Sequence, residues 1–273
     1  MCLDRFYRGL DGVGAFRMAI KSFSEFISSI EKFRGTAANS ELWYRGHGAN
    51  SYVLQPGLHR SSLPLVKDMV ITRENTTYDE FYRRSPLFDR PGGRDRWDLL
   101  FLMQHYRAPT RLLDWTSSPL VALFFALLSG HDTEDAVLWC LDPAEWNGKM
   151  LHDIGEAPKI FPTDDSMILQ YHPKFDGKAS RNEPLAIQGI VNNPRINAQK
   201  GKFVIFGTEP RSMEDFAKEF KIKPNGEILR KIEIDSSRRK AVMNDLESYG
   251  ITYSTVFPDL EGLAIEISRK LMG

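Results

Sequence analysis

Apolar residues recur at helical intervals through much of the first half of the chain. Between residues 22 and 35, Phe23, Phe26, Ile27, Ile30 and Phe33 share one face, which predicts an amphipathic helix closed near Gly35. Residues from about 66 to 82 are also expected to be helical, and the run WDLLFLMQHY (residues 97–106) reads as a buried helix. A further helix is expected in SSPLVALFFALLSG, with Ser117 or Ser118 at its N-cap and Pro119 in its first turn. Before these, ELWYRG reads as a short strand ended by Gly46 and Gly48.

From about Asp135 the pattern turns to short strand-like runs: AVLWCL, LAIQGIV, KFVIFG, KIEI and LAIEI. Helices at about 213–220 and 237–249 interrupt them. Helices followed mostly by short strands predict an α+β fold around a mixed or antiparallel sheet, with a helical N-terminal portion. There is no internal repeat and no clear boundary, so residues 1–273 are taken as one domain, with an irregular insertion at 146–184.

Composition narrows the picture. The 36 Lys and Arg balance the 36 Asp and Glu, which argues against a surface coated for bulk nucleic-acid binding but permits a local basic site. Only Cys2 and Cys140 occur, so no disulfide framework is expected and the cytoplasm is the simplest compartment. No apolar run reaches the roughly 18 residues of a membrane helix, and the N-terminus lacks a signal peptide's apolar stretch.

Two stretches draw chemical attention. In WYRGHG, Arg45 shares a strand face with Trp43, a setting suited to forking onto a phosphate or carboxylate, while Gly46 admits close backbone approach. Pairing of Arg45 with a structural acid is the competing reading. In QHYRAPTRLLDWTSSPL, the helix entrance offers unpaired N–H groups to an anion, Thr116 and Ser117 add hydroxyls, and Tyr106 or Trp115 offers a stacking surface. Asp114 suits a ligand hydroxyl or an arginine; the plainer alternative is a loop network in which it neutralises Arg111. Gln199, between Arg195 and Lys202, is placed to meet a sugar hydroxyl or simply to enter a strand.

The six histidines show no metal-ligand spacing, and there is no phosphate loop and no GxSxG. His47 and His105 are candidates by neighbourhood alone. The loop at 83–96 holds five arginines; it and SSRRK (residues 236–240) read as solvated faces, the loop with some capacity to steer a polyanion such as nucleic acid.

Together, WYRGH, QHYRAPTRLLDWTSSPLVALFFAL, RINAQKGKFVIFG and GITYSTVFPDLEGLA resemble the bacterial FRG domain family over about residues 22–267. Arg107 stands where that family commonly has glycine. The order of motifs is also similar, more weakly, to ADP-ribosyltransferases. That resemblance implies NAD as co-substrate and no metal, with Arg45 holding the dinucleotide, and Thr116 and Ser117 shaping the nicotinamide–ribose pocket.

In those enzymes a late glutamate stabilises the reacting ribose; here Gln199 occupies the position, leaving Asp114, Glu183 or Glu209 to supply the carboxylate. Catalytic roles accordingly fall to Arg45, Gln199 and Asp114, and cofactor contacts to Arg45, Gly46, His47, Tyr106, Trp115, Thr116 and Ser117. The activity implied is mono-ADP-ribosylation of RNA, DNA or protein, in a toxin of a toxin–antitoxin or phage-defence system with an antitoxin as partner. The alternatives are a non-catalytic nucleotide-binding module and an RNA-acting nuclease or phosphotransferase using His47 or His105.

Overall fold

The computed structural model describes residues 19–60, 67–88, 96–129, 133–175, 181–190 and 193–272. Its centre is a six-stranded sheet in which every pairing between strands is antiparallel. In chain order the longer elements are α1 (Phe23–Thr36), β1 (Trp43–His47), α2 (Lys67–Arg84), α3 (Arg96–His105), β2 (Leu112–Thr116), α4 (Pro119–Leu128) and β3 (Ala136–Leu141). Then follow α5 (Pro143–Met150), α6 (Ser166–Leu169), β4 (Leu185–Ile187), α7 (Pro194–Ala198), β5 (Gly201–Ile205), α8 (Met213–Glu219) and β6 (Leu229–Ile234). The chain continues with α9 (Arg239–Ser248), α10 (Tyr253–Val256) and α11 (Leu260–Met272). Across the sheet the order is β4-β5-β2-β1-β3-β6, with helices packed on both faces, and this is the expected α+β architecture.

The local signals behind these elements are visible. Ser22 caps α1 by accepting from the Glu25 amide, and Phe26, Ile30 and Phe33 form its buried stripe. Ser118, the second of the two candidates, caps α4, with Pro119 in the first turn. On β1, alternation sends Trp43 into one core cluster and Tyr44 into the other. Gly46 lies on the Tyr44 face, where α4 crosses β1. A Cβ there would overlap the Ala122 carbonyl and stand 2.5 Å from the Ala126 amide nitrogen. The glycine is therefore needed for helix packing.

Three expectations are corrected. Residues 112–116, read as part of a loop, form the central strand β2, paired with β5 over five positions. Leu112, Leu113 and Trp115 are all buried, so both faces of this strand are covered, and the alternation that marks a half-exposed strand is missing. LAIEI is helical within α11, because Asp259 accepts from the Gly262 amide at the helix start and Glu266 pairs with Lys270 one turn on. A short apolar run does not distinguish the two structures by itself. In SSRRK, Arg239 is buried and donates to the carbonyls of Gly48, Ala126, Ser129 and Glu134, closing the end of α4.

Of the arginine-rich stretch, Arg83 and Arg84 end α2, Arg96 opens α3, and residues 89–95 lie outside the described residues. The stretch 146–184 has little regular structure, yet Trp146, Phe161, Ile168 and Tyr171 are buried members of the core; its residues 176–180 are outside the described set.

Candidate functional site

The sheet is split in its middle. β1 pairs with β3 at five positions but with β2 only at Tyr44 and Thr116. Beyond that contact the two strands part, and on the α4 side of the gap lies a cleft of about 340 Å³. Arg45, Gly46, Asp114 and Thr116 line its floor, α3 supplies Gln104, the turn after α3 supplies Arg107, and Gln199 and Phe257 contribute the far wall.

Arg45 spans the split. Its Nη1 donates to the backbone carbonyl of Asp114, and its Nε donates to His47 Nε2 at 3.1 Å. No carboxylate pairs with this guanidinium among the described residues, so the competing structural-acid reading is not what the geometry shows. Removal from water lowers Arg45 to about 10, an effect that the Asp114 charge opposes. It stays charged at neutral pH. His47 is buried behind it, and burial first, then the Arg45 charge, pushes its imidazole to about 3. A neutral, acceptor-only Nε2 is what the Arg45 bond requires. His47 therefore backs the arginine and does not line the cleft.

Asp114 faces the cleft from the same sheet face as Thr116. Its Oδ2 accepts from Gln104 Nε2 at 2.6 Å, and Gln104 Oε1 in turn accepts from Thr110 Oγ1 at 2.5 Å. Thr110 Oγ1 also accepts from the Leu112 amide, so the chain of contacts is tied to β2 itself. Desolvation raises the Asp114 carboxyl, against the lowering pull of Arg45 and the Gln104 hydrogen bond. The result is a carboxylate accessible from the cleft but fixed in direction from behind.

The helix entrance behaves differently from the expectation. Thr116 Oγ1 donates to the Gln199 carbonyl (2.6 Å) and accepts from the Ser118 amide (3.0 Å), while Ser118 caps the Val121 amide. The Ser118, Val121 and Ala122 amides at the start of α4 thus find partners within the chain, which narrows the anion site expected there. Ser117 stands outside the cleft lining, its amide donating to the Lys200 carbonyl. Trp115 borders the cleft, but its side chain is almost wholly buried in the core. Tyr106 lies in a neighbouring hollow with Asp98 and Asn193. Gln199 borders the cleft, but its Nε2 donates to the Val256 carbonyl at 3.2 Å, so the side chain works chiefly as a brace between α7 and α10.

Arg111 is structural, as one reading had it, although its partner is Glu74 and not Asp114. The two are fully buried and joined at 2.6 Å, and Glu74 also accepts from the Arg111 amide at 2.8 Å. Glu183 and Glu209 do not line the cleft; Asp114 is the carboxylate that does. Sequence reasoning missed Gln104 and Arg107. For Gln104 the signal was present, since QHY and LLDW sit ten residues apart in one motif and meet through this bond. His105 also borders the cleft, with its imidazole pKa lowered by desolvation and by Arg195. No group of three or more His, Cys, Asp or Glu side chains suited to a metal ion occurs among the described residues. Among the same residues, no helix is long and apolar enough to cross a membrane.

No curated protein and no solved structure matches the chain. The model of one family does match, and its span starts just before β1 and ends just before β3, enclosing Arg45, the Gln104–Thr110–Asp114 contacts and Thr116. The far wall, with Gln199 and Phe257, is built from residues beyond it. Over residues 40–135 this chain carries an FRG domain.

Proposed function

We propose that the protein is an NAD-dependent mono-ADP-ribosyltransferase acting on a macromolecular acceptor. The observation that carries this reading is the convergence of Arg45, Asp114 and Thr116 on one cleft where the sheet splits. A cleft of about 340 Å³ sits at the small end of ligand pockets, typically about 300–1,000 Å³, and suits the nicotinamide–ribose end of NAD more than the whole dinucleotide.

In the reaction, the bond between nicotinamide and ribose C1′ breaks and its electron pair leaves with the nicotinamide ring, cancelling the pyridinium charge. Positive charge then develops on the sugar, as in glycoside hydrolysis. A preoriented carboxylate in a partly dry site stabilises that charge without having to reorganise. Asp114, held by Gln104, takes this role in place of a late-strand acid. An oxygen or nitrogen of the acceptor bonds to C1′ and releases its proton, with Asp114 as the nearest base. Arg45 holds the dinucleotide at its nicotinamide–ribose end and fixes the Asp114 backbone. RNA, DNA and protein remain the acceptor classes. Modifying any of them inside the producing cell would be harmful, which is consistent with a role in a toxin–antitoxin or phage-defence system.

The test is nicotinamide release and label transfer from NAD, with purified protein given total RNA, DNA or lysate. Arg45→Ala is expected to lower both by roughly tenfold to a hundredfold, the effect of losing a charge-assisted contact worth about 1.5–3 kcal/mol. Equal transfer by wild type and Arg45→Ala removes Arg45 from the mechanism. A second reading, a nucleotide-binding module without turnover, draws support from Gln199, which brings no carboxylate and whose amide is occupied by Val256. Calorimetric binding of NAD with no nicotinamide released under any acceptor condition would favour it.

A further inference from the structure

The main cleft does not end at Phe257. A second cavity of about 180 Å³ adjoins it and shares Arg107, Arg195 and Phe257 with it; Tyr253, Glu261 and Ile265 are among its other walls. Two arginines therefore stand between two chambers.

Each arginine has features that call for explanation. Arg107 follows α3 with φ of 61°, the left-handed backbone that side chains rarely adopt and glycine takes freely. The turn is closed by hydrogen bonds from the Arg107 amide to the Gln104 carbonyl and from the Ala108 amide to the Met103 carbonyl. The residue is exposed, and its guanidinium makes no ion pair or hydrogen bond among the described residues. A helix C-terminus favours a cation, but that benefit does not require a non-glycine residue at this strained position. Arg195, by contrast, is held firmly: Nη2 pairs with Asp259 at 2.7 Å and the guanidinium lies 5.0 Å from the Phe257 ring centre. Beyond it, the rings of Tyr253 and Phe257 are 4.8 Å apart at 31° and form an aromatic wall.

We infer that the ligand is a dinucleotide laid across this pair, its pyrophosphate taken by Arg107 and Arg195 and its second base received in the chamber of Tyr253 and Phe257. The inference rests on the reading above, in which the main cleft holds the nicotinamide–ribose end. Cationic groups midway between two cavities match a molecule with two rings and an anionic centre. A mononucleotide would leave one chamber unfilled. Glu261, in the second chamber, would repel a phosphate but can accept from an exocyclic amine or a ribose hydroxyl, which orients the ligand with its base there.

Calorimetry on the full chain with NAD, ADP-ribose and nicotinamide mononucleotide tests this. NAD and ADP-ribose are expected to bind at least about tenfold more tightly than the mononucleotide. Arg107→Gly should weaken ADP-ribose by about tenfold while the melting temperature stays level or rises, because glycine relieves the backbone at that position. Tyr253→Ala should narrow the gap between NAD and the mononucleotide. If NAD is bound or turned over but Arg107→Gly matches wild type for ADP-ribose, or if NAD and the mononucleotide bind equally, the clamp is overturned and the assignment of the main cleft stands. Failure of all three ligands to bind overturns both.

Discussion

Gln104 and Asp114, ten residues apart, meet as donor and acceptor at 2.6 Å, and Thr110 fixes the amide between them. The contact ties the end of α3 to the middle of β2 and gives the Asp114 carboxylate one direction. Gln104 acts through Asp114 and so is a positioning residue. Asp114→Asn is expected to lower the rate of nicotinamide release by about a hundredfold to a thousandfold, the scale of losing one preorganised electrostatic group. Gln104→Leu should lower kcat by about tenfold with KM nearly unchanged. Parallel loss of NAD affinity in Gln104→Leu would instead show a structural collapse of the cleft.

Gly46 should tolerate no side chain. A methyl group there overlaps backbone atoms of α4, which cannot give way as a flexible side chain would. Gly46→Ala is expected to cost about 3 kcal/mol or more, at or beyond the upper range of core overpacking, read as a fall in the urea midpoint. An unchanged midpoint would mean that α4 does not lie this close to β1.

Glu74 and Arg111 form a buried pair whose remaining donors reach the carbonyls of Phe206 and Tyr171. Removing one partner leaves the other charge stranded. Glu74→Ala is expected to destabilise by about 3–5 kcal/mol, whereas the double variant Glu74→Leu/Arg111→Met should recover much of that loss. Denaturant unfolding of the single and double variants checks both figures.

Acid should destabilise the fold well above the range in which carboxylates titrate. Burial pushes both His47 and His59 to about 3, so the folded state keeps them neutral while the unfolded chain protonates them near 6.5. Below 6.5 the unfolded state therefore binds more protons, and stability falls as pH drops from about 6.5 towards 3. Between pH 7 and pH 5 each imidazole is expected to cost about 2 kcal/mol. Unfolding free energies at the two values measure the sum, and substituting His59 with phenylalanine should roughly halve the slope. A flat profile between pH 7 and 5 would contradict the burial of these rings.

Much of the site was legible in the motifs. WYRGH placed Arg45 on a strand, the LLDWT stretch carried Asp114 and Thr116, and Ser118 with Pro119 marked the start of α4. Residue type, capping chemistry and apolar period are local properties, and these are what a single chain displays. What each polar group bonds to is another matter. Thr116 looked like an open ligand donor, yet its hydroxyl is taken up by Gln199 and Ser118; at Gly46 the space a side chain would need is taken by α4, a demand the sequence does not display.

By itself, then, the sequence determined the helices with caps and amphipathic faces, the α+β class, and the short list of groups with chemistry to offer, because these follow from interactions within a few residues. The tertiary structure decided that β2 is a central strand, that β1 and β2 separate after one pair, and that Arg107 and Arg195 come to the same rim. Each of these depends on which distant segments share a sheet edge or a cavity, and contacts between residues far apart in the chain leave no local period to read.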